Sequence, residues 1–252
     1  MPNWVTNKVK FKGRGKEILD KVLTFDENGL EYFDFNKIIL MPKSLELTSG
    51  SITNDAIQYA ISRKSEEEKQ KTIDLLKASK QDILYKDYYT KFFHTSIDKD
   101  RLEDLNNNFE RQIKENKDLF KELNINTLED LGNQYIDNIL KYGNDTWYDW
   151  CVHNWGTKWN SSNTYILNDD EVEFDTAWTC PIEVLKELSK QFSDVEIYVE
   201  YADEDIGSNC GWFTLINGNF DKLVDMDGNC EFAMRVKGYT EEDIKEYFEE
   251  QE

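Results

Sequence analysis

The apolar pattern of this chain changes period twice, and that switch limits the folds open to it. Residues 3–12 alternate as a strand, with Trp4, Thr6, Lys8, Lys10 and Lys12 on one side and Val5, Val9 and Phe11 near the other. A Gly13-Arg14-Gly15 turn follows, and residues 16–24 predict a short helix with Ile18, Leu19 and Val22 on one face. Residues 31–41, E-Y-F-D-F-N-K-I-I-L-M, predict a second apolar strand closed by Pro42. From about Ile52 to Gly143 the alternation vanishes and apolar residues recur at helical spacing. Ser65 with Glu68 and Thr127 with Asp130 form capping boxes, the second opening a run with Leu131, Tyr135, Ile136 and Leu140. Between them, Asp98 to Leu123 reads as one long or two short helices striped by Leu102, Leu105, Phe109, Ile113 and Phe120. Gly132 weakens the last helix slightly.

Strand alternation then returns. In 171–178, Val172, Phe174, Thr176 and Trp178 point one way, and Glu171, Glu173, Asp175 and Ala177 the other. Pro181 opens a helix over 182–192, and in 195–201 Val195, Ile197, Val199 and Tyr201 share one face. Two strands joined by an Asn217-Gly218 turn follow, and Thr240 with Asp243 caps a final helix. The order β-α-β, helical block, β-α-β, β-β-α predicts an α+β protein of ferredoxin-like, split β-α-β type with a large helical insertion. The expected domains are 1–50 with 144–252, and an insertion over 51–143.

Four of the seven tryptophans, Trp147, Trp150, Trp155 and Trp159, fall within thirteen residues, W-Y-D-W-C-V-H-N-W-G-T-K-W. Side chains of this size are expected either in a wedged core element or on a specific contact surface. This block, the start P-N-W-V-T-N-K-V and the segment Phe33–Pro42 together resemble the YubB-like ferredoxin-like proteins of phages and plasmids. The T-A-W-T-C-P-I sequence at Thr176–Ile182 and the Tyr201–Gly207 segment fit as well. The resemblance implies a ferredoxin-like fold and a mobile-element origin, but no particular activity. The chain departs from the pattern at Leu40, where a proline is expected, and in the length of its helical block.

No catalytic signature is present at full strength. Asp149, Cys151 and His153 suggest an acid, a thiol and a base, but their spacing suits one helix face poorly and the other histidine, His94, is far away in sequence. An aromatic pocket using Asp149 and His153 as acid and base is the enzymatic alternative. A zinc site from Cys151, His153, Cys180 and Cys210 lacks paired ligand spacing, so no metal or cofactor is expected, and the four cysteines read as reduced core thiols. Asp225, Asp227 and Asn229 begin like a calcium loop, but Val236 stands where a glutamate should close it, so a turn is expected. No phosphate-cradling glycine loop appears.

Charge is the sharper functional signal. The chain carries a net charge of −21, and from Asp169 onward it holds 24 acidic and 6 basic residues. If strands 171–177 and 195–201 are neighbours, Glu171, Glu173, Asp175, Glu196 and Glu200 share an uncovered sheet face that repels phosphate. The expectation is a cytoplasmic, non-enzymatic interaction protein from a phage or plasmid. It docks on a basic, nucleic-acid-handling host protein, as an anti-CRISPR or anti-restriction inhibitor would. Its contact residues are Glu173, Asp175, Glu196, Glu200, Asp203, Glu204 and Asp205. Direct nucleic-acid binding by Lys8, Lys10 and Lys12 is disfavoured by the overall charge, and no apolar run reaches membrane-spanning length.

Overall fold

A computed structural model describes residues 2–79 and 97–249; His94 lies outside the described residues. Contacts divide the chain into two compact units, residues 1–40 with 151–252, and residues 41–150.

The first unit is built on β1 (Trp4–Lys12), whose Val5, Val9 and Phe11 are buried and whose Lys10 and Lys12 are exposed. Asn7 interrupts that apolar row yet is fully buried. Its amide nitrogen donates to the carbonyls of Val5 and Phe174 and to the Thr176 hydroxyl, whereas its buried Oδ1 has no hydrogen-bond partner among the described residues. Helix α1 (Gly15–Val22) follows, burying Ile18, Leu19 and Val22. The expected strand over 31–41 is shorter than its apolar content suggested. Only Glu31–Phe33 (β3) is extended, and it pairs with β2 (Leu23–Phe25) in a separate two-stranded ribbon. Asp34 ends it: its carboxylate accepts the Asn36 N–H at 3.0 Å and the Asn160 amide at 2.8 Å, turning the chain into a single tight turn at Phe35–Lys37.

The main sheet has six strands in the order β4-β5-β1-β6-β7-β8, all neighbours antiparallel. They are β4 (Ser162–Asn168), β5 (Glu171–Ala177), β6 (Glu196–Asp203), β7 (Gly211–Ile216) and β8 (Asn219–Asp225). The first four positions are the split β-α-β arrangement of a ferredoxin-like fold, and β7 and β8 extend it as a hairpin through Asn217 and Gly218, both at positive φ. Helix α8 (Ile182–Gln191) packs with α1 on the face that carries Val5, Val9, Val172, Phe174, Ile197 and Val199.

The opposite face is not open along its length. Helix α9 (Cys230–Val236) lays Phe232, Ala233 and Val236 against Ala202 and Cys210, with Trp212 beside them, and Lys237 donates to Thr6 at 3.4 Å. This helix was not legible in the sequence. Its opening residues are the calcium-like run, which proves to be a turn. Asp225 accepts the Asp227 N–H, Asp227 accepts the Asn209 N–H, and Asn229 caps the helix by accepting the Phe232 N–H. Helix α10 (Glu241–Glu249) follows, with the Thr240–Asp243 capping box formed.

The second unit is helical: α2 (Ser51–Ser62), α3 (Glu66–Ser79), α4 (Lys99–Glu115), α5 (Lys117–Glu122) and α6 (Leu128–Tyr142). Asn116 breaks the 98–123 stretch into two helices, and both capping boxes form as their spacing predicts. The core includes Ile57, Ile61, Ile73, Leu105, Phe109 and Tyr135, whose hydroxyl donates to the Thr48 carbonyl at 3.0 Å. The boundary between the units falls within helix α7 (Trp147–Asn154).

Candidate functional site

The acidic strands are not neighbours. The split β-α-β connection puts β1 between β5 and β6, so the lysines of β1 interleave with their carboxylates. Lys8 opposes Glu173 on one side and Glu200 on the other, Lys10 opposes Glu171, and Lys12 opposes Glu196. Lys8 Nζ lies 3.4 Å from Glu173, Lys10 lies 3.7 Å from Glu171, and Lys12 pairs with Glu196. The expected acidic face is therefore a striped, largely neutralised one, and its cross-strand pairs are attractive rather than repulsive. Glu200 accepts a hydrogen bond from the Tyr198 hydroxyl at 2.8 Å, and burial together with that bond pushes the Tyr198 phenol up. Asp175 accepts from Thr6 and Asn163. Asp203 is buried and accepts from the side chains of Asn3 and Asn209 and from the Asp205 N–H. Of the acidic residues singled out from sequence, Glu204 and Asp205 are exposed.

The tryptophan block divides between core and surface. Trp155 is buried, stands edge-on to Phe35 at 5.7 Å and donates its indole N–H to the Ile39 carbonyl at 2.9 Å. Trp150 is also buried, whereas Trp147 and Trp159 are half-buried. Within α7, two-residue steps turn side chains about 200° apart. Accordingly Cys151 is buried while His153 is exposed, which does not present the thiol and imidazole to one another. Burial also pushes the Cys151 thiol up to about 12, and raises Cys180 and Cys210, so neutral thiols rather than thiolates occupy these positions. Among the described residues no disulfide joins the four cysteines, and no group of three or more His, Cys, Asp or Glu is placed to hold a metal ion.

At the end of the sheet, features from distant parts of the sequence converge. The loop Gly156–Trp159 is pinned along the end of β5: the Thr157 hydroxyl donates to the Ala177 carbonyl at 2.7 Å, and the Thr179 hydroxyl donates to that of Gly156. Trp159 lies 6.0 Å from Trp4, and Lys158 Nζ sits 4.3 Å from the Trp159 ring centre and 5.1 Å from that of Trp178. Trp178 leaves the inward row that alternation assigned to it. Its φ is 73°, in the left-handed region, and its side chain is 38% exposed. A bulky residue pays a steric penalty in that conformation, and here neighbouring groups fix it. Its N–H donates to the Asn3 carbonyl at 2.9 Å and its carbonyl accepts from the Asn209 amide at 2.9 Å. Asn3 and Asn209 are the same residues that hold Asp203, and the Glu204 N–H donates to the Trp4 carbonyl at 2.9 Å. The segment bearing exposed Glu204 and Asp205 is thus tied by its backbone to Trp4, one of three tryptophans at this end of the sheet, where Lys158 contacts the other two. Trp4 and Trp178 were missed as site residues because each stands alone in the sequence.

Residues 154–249 match the family model described as the ferredoxin-like domain in Api92-like protein. That span carries β4 to β8 but not the central strand β1. A crystal structure of a protein api92 from Yersinia pseudotuberculosis is also similar, at 13% identity over 89% of this chain and 98% of that one, with a TM-score of 0.35. No curated protein matches. Among the described residues no helix is long and apolar enough to cross a membrane.

Proposed function

We propose that this chain is a non-catalytic interaction protein that docks on a basic, nucleic-acid-handling protein through the tryptophan-bearing end of its sheet. The observation that carries this reading is that exposed Glu204 and Asp205 lie on a segment whose backbone is hydrogen-bonded to Trp4, at the sheet end that also carries Trp159 and Trp178. Rigid aromatic anchors, tryptophan foremost, are enriched in energetic hot spots. The net charge of −21 would steer a basic partner toward the chain at long range. The striped sheet face, with its lysines paired, is less suited to that role than its carboxylates alone suggested. In its finer form the reading is a phage or plasmid counter-defence inhibitor, anti-CRISPR or anti-restriction, acting in the host cytoplasm as a nucleic-acid mimic; charge and sequence resemblance support that form.

The test is affinity capture from host lysate at low and high salt, using the wild type and a Glu204→Gln/Asp205→Asn variant. A basic nucleic-acid-binding protein retained by the wild type at low salt, lost at high salt and depleted on the variant supports the reading. Equal recovery at both salts and from both baits contradicts it.

A further inference from the structure

We propose that the recess between the β2–β3 ribbon and the start of β4 is a binding site for a small organic cation, a guanidinium or ammonium carried on an apolar stem. The site shares no residue with the docking end of the sheet and does not rest on that reading.

Its walls come from two segments that are distant in sequence and belong to the same unit. Side chains between Asp26 and Tyr32, on the ribbon, and between Asn160 and Tyr165 line a cavity of about 630 Å³, within the size range of small-molecule sites. Both walls are tied down. The Asp26 carboxylate accepts the Asn28 and Leu30 N–H groups at 2.8 Å, and the Asp26 N–H donates to the Leu30 carbonyl at 2.9 Å, which closes the ribbon's turn. On the other wall, the Phe33 N–H donates to the Thr164 hydroxyl at 3.1 Å and the Ser161 hydroxyl donates to the Phe33 carbonyl at 2.7 Å, stitching β3 to the start of β4.

Charge selects the ligand. Asp26 and Glu31 line the cavity, and among the described residues no lysine or arginine lines it and neither carboxylate has an ion pair. The sheet face differs, because Glu171, Glu173 and Glu196 are each matched there by a lysine of β1. Hydrogen bonds from the Leu30 N–H first, then from Asn28, hold the Asp26 carboxyl below the usual carboxylate range, so it is ionised at neutral pH. Such a cavity repels anions and favours a cation. Tyr32 and Tyr165 add the aromatic surface on which organic cations are recognised. Burial, followed by the fields of Asp34 and Asp26, pushes the Tyr32 phenol up and keeps it a neutral donor. Leu30, which also lines the cavity and is 67% exposed, gives an apolar stem a surface to lie on. A hydrated inorganic ion would use neither the tyrosines nor the leucine.

The experiment titrates butylguanidinium into the ¹⁵N-labelled full chain and follows amide chemical shifts, with butylurea as an uncharged probe of similar shape. Butylguanidinium is expected to give saturable shifts at the Leu30, Tyr32, Ser162 and Tyr165 amides and to bind about 5-fold or more tightly than butylurea. Glu31→Gln and Asp26→Asn are each expected to weaken it by roughly 2- to 5-fold. Glu187→Gln on α8, where Glu187 pairs with Lys190, is expected to leave it unchanged. Glu31→Gln keeps the turn's hydrogen bonds and carries the test should Asp26→Asn unfold. Equal binding of the two probes, or shifts absent from both walls, overturns the cation site. A loss in Glu187→Gln as large as in the cavity variants reduces the binding to diffuse attraction by a net charge of −21 and overturns it too. A terminally blocked Gly-Gly-Arg-Gly-Gly peptide carries the same guanidinium on a protein backbone. Binding no tighter than that of butylguanidinium supports a small-molecule site, whereas tighter binding makes the occupant a protein side chain and overturns that assignment.

Discussion

Trp178 concentrates the difference between pattern and conformation at a single residue. Alternation groups it with Val172, Phe174 and Thr176, which are buried, but the strand ends one residue earlier and Trp178 turns outward at φ 73°. An L side chain there costs about 1–3 kcal/mol, a strain glycine does not carry. Trp178→Gly is therefore expected to be more stable than Trp178→Ala by about 1 kcal/mol, reversing their usual order inside regular structure. Urea unfolding of the two variants checks this, and an Ala variant as stable as the Gly variant would mean the left-handed conformation is not held. Such a backbone flip leaves no trace in a hydropathy pattern, and neither does Asn7, two of whose three hydrogen bonds go to β5, a strand that local reading cannot place beside it.

At the scale of elements, what was legible was whatever is encoded locally. The capping boxes at Ser65–Glu68, Thr127–Asp130 and Thr240–Asp243 each close within one turn, and each forms. The elements that were missed depend on distant neighbours. Edge strand β4 has no alternation because Tyr165, Ile166 and Leu167 are all exposed, and α9 is too short to show a period. The central position of β1 decides whether the carboxylates of β5 and β6 add or cancel, and it follows from topology rather than from any strand's own sequence. Gly132 shows the same contrast. Propensity alone says that alanine should improve α6 by about 1 kcal/mol. A Cβ at position 132, however, would stand 2.1 Å from the Ala56 carbonyl oxygen and 2.6 Å from the Ala60 Cβ, so α2 and α6 would have to separate. Gly132→Ala is expected to destabilise the chain by about 1–3 kcal/mol. A raised Tm in thermal unfolding followed by circular dichroism would show that the two helices are not in such close contact.

Across the whole molecule, a large negative charge has been sorted into paired and unpaired fractions. Lys8 and Lys12 hold Glu173 and Glu196 on the sheet, and partly exposed pairs of this kind are worth about 0–1 kcal/mol each, enough to quiet a surface though not to stabilise a fold. Exposed Glu204 and Asp205 have no ion pair among the described residues, and their segment is tied through the Glu204 N–H to Trp4. The ferredoxin-like class was readable from the order of elements, whereas the location of the candidate site was not, because Trp4, Trp159, Trp178 and the 203–205 loop meet only after folding. The most direct test of that location is hydroxyl-radical footprinting of the chain alone and in complex with the captured basic protein. Oxidation of Trp178 and Trp159 is predicted to fall on complex formation, while Tyr165 and Tyr198 on the sheet face keep their reactivity; unchanged oxidation of Trp178 with protection of Tyr165 and Tyr198 would move the interface to the striped face and contradict this assignment.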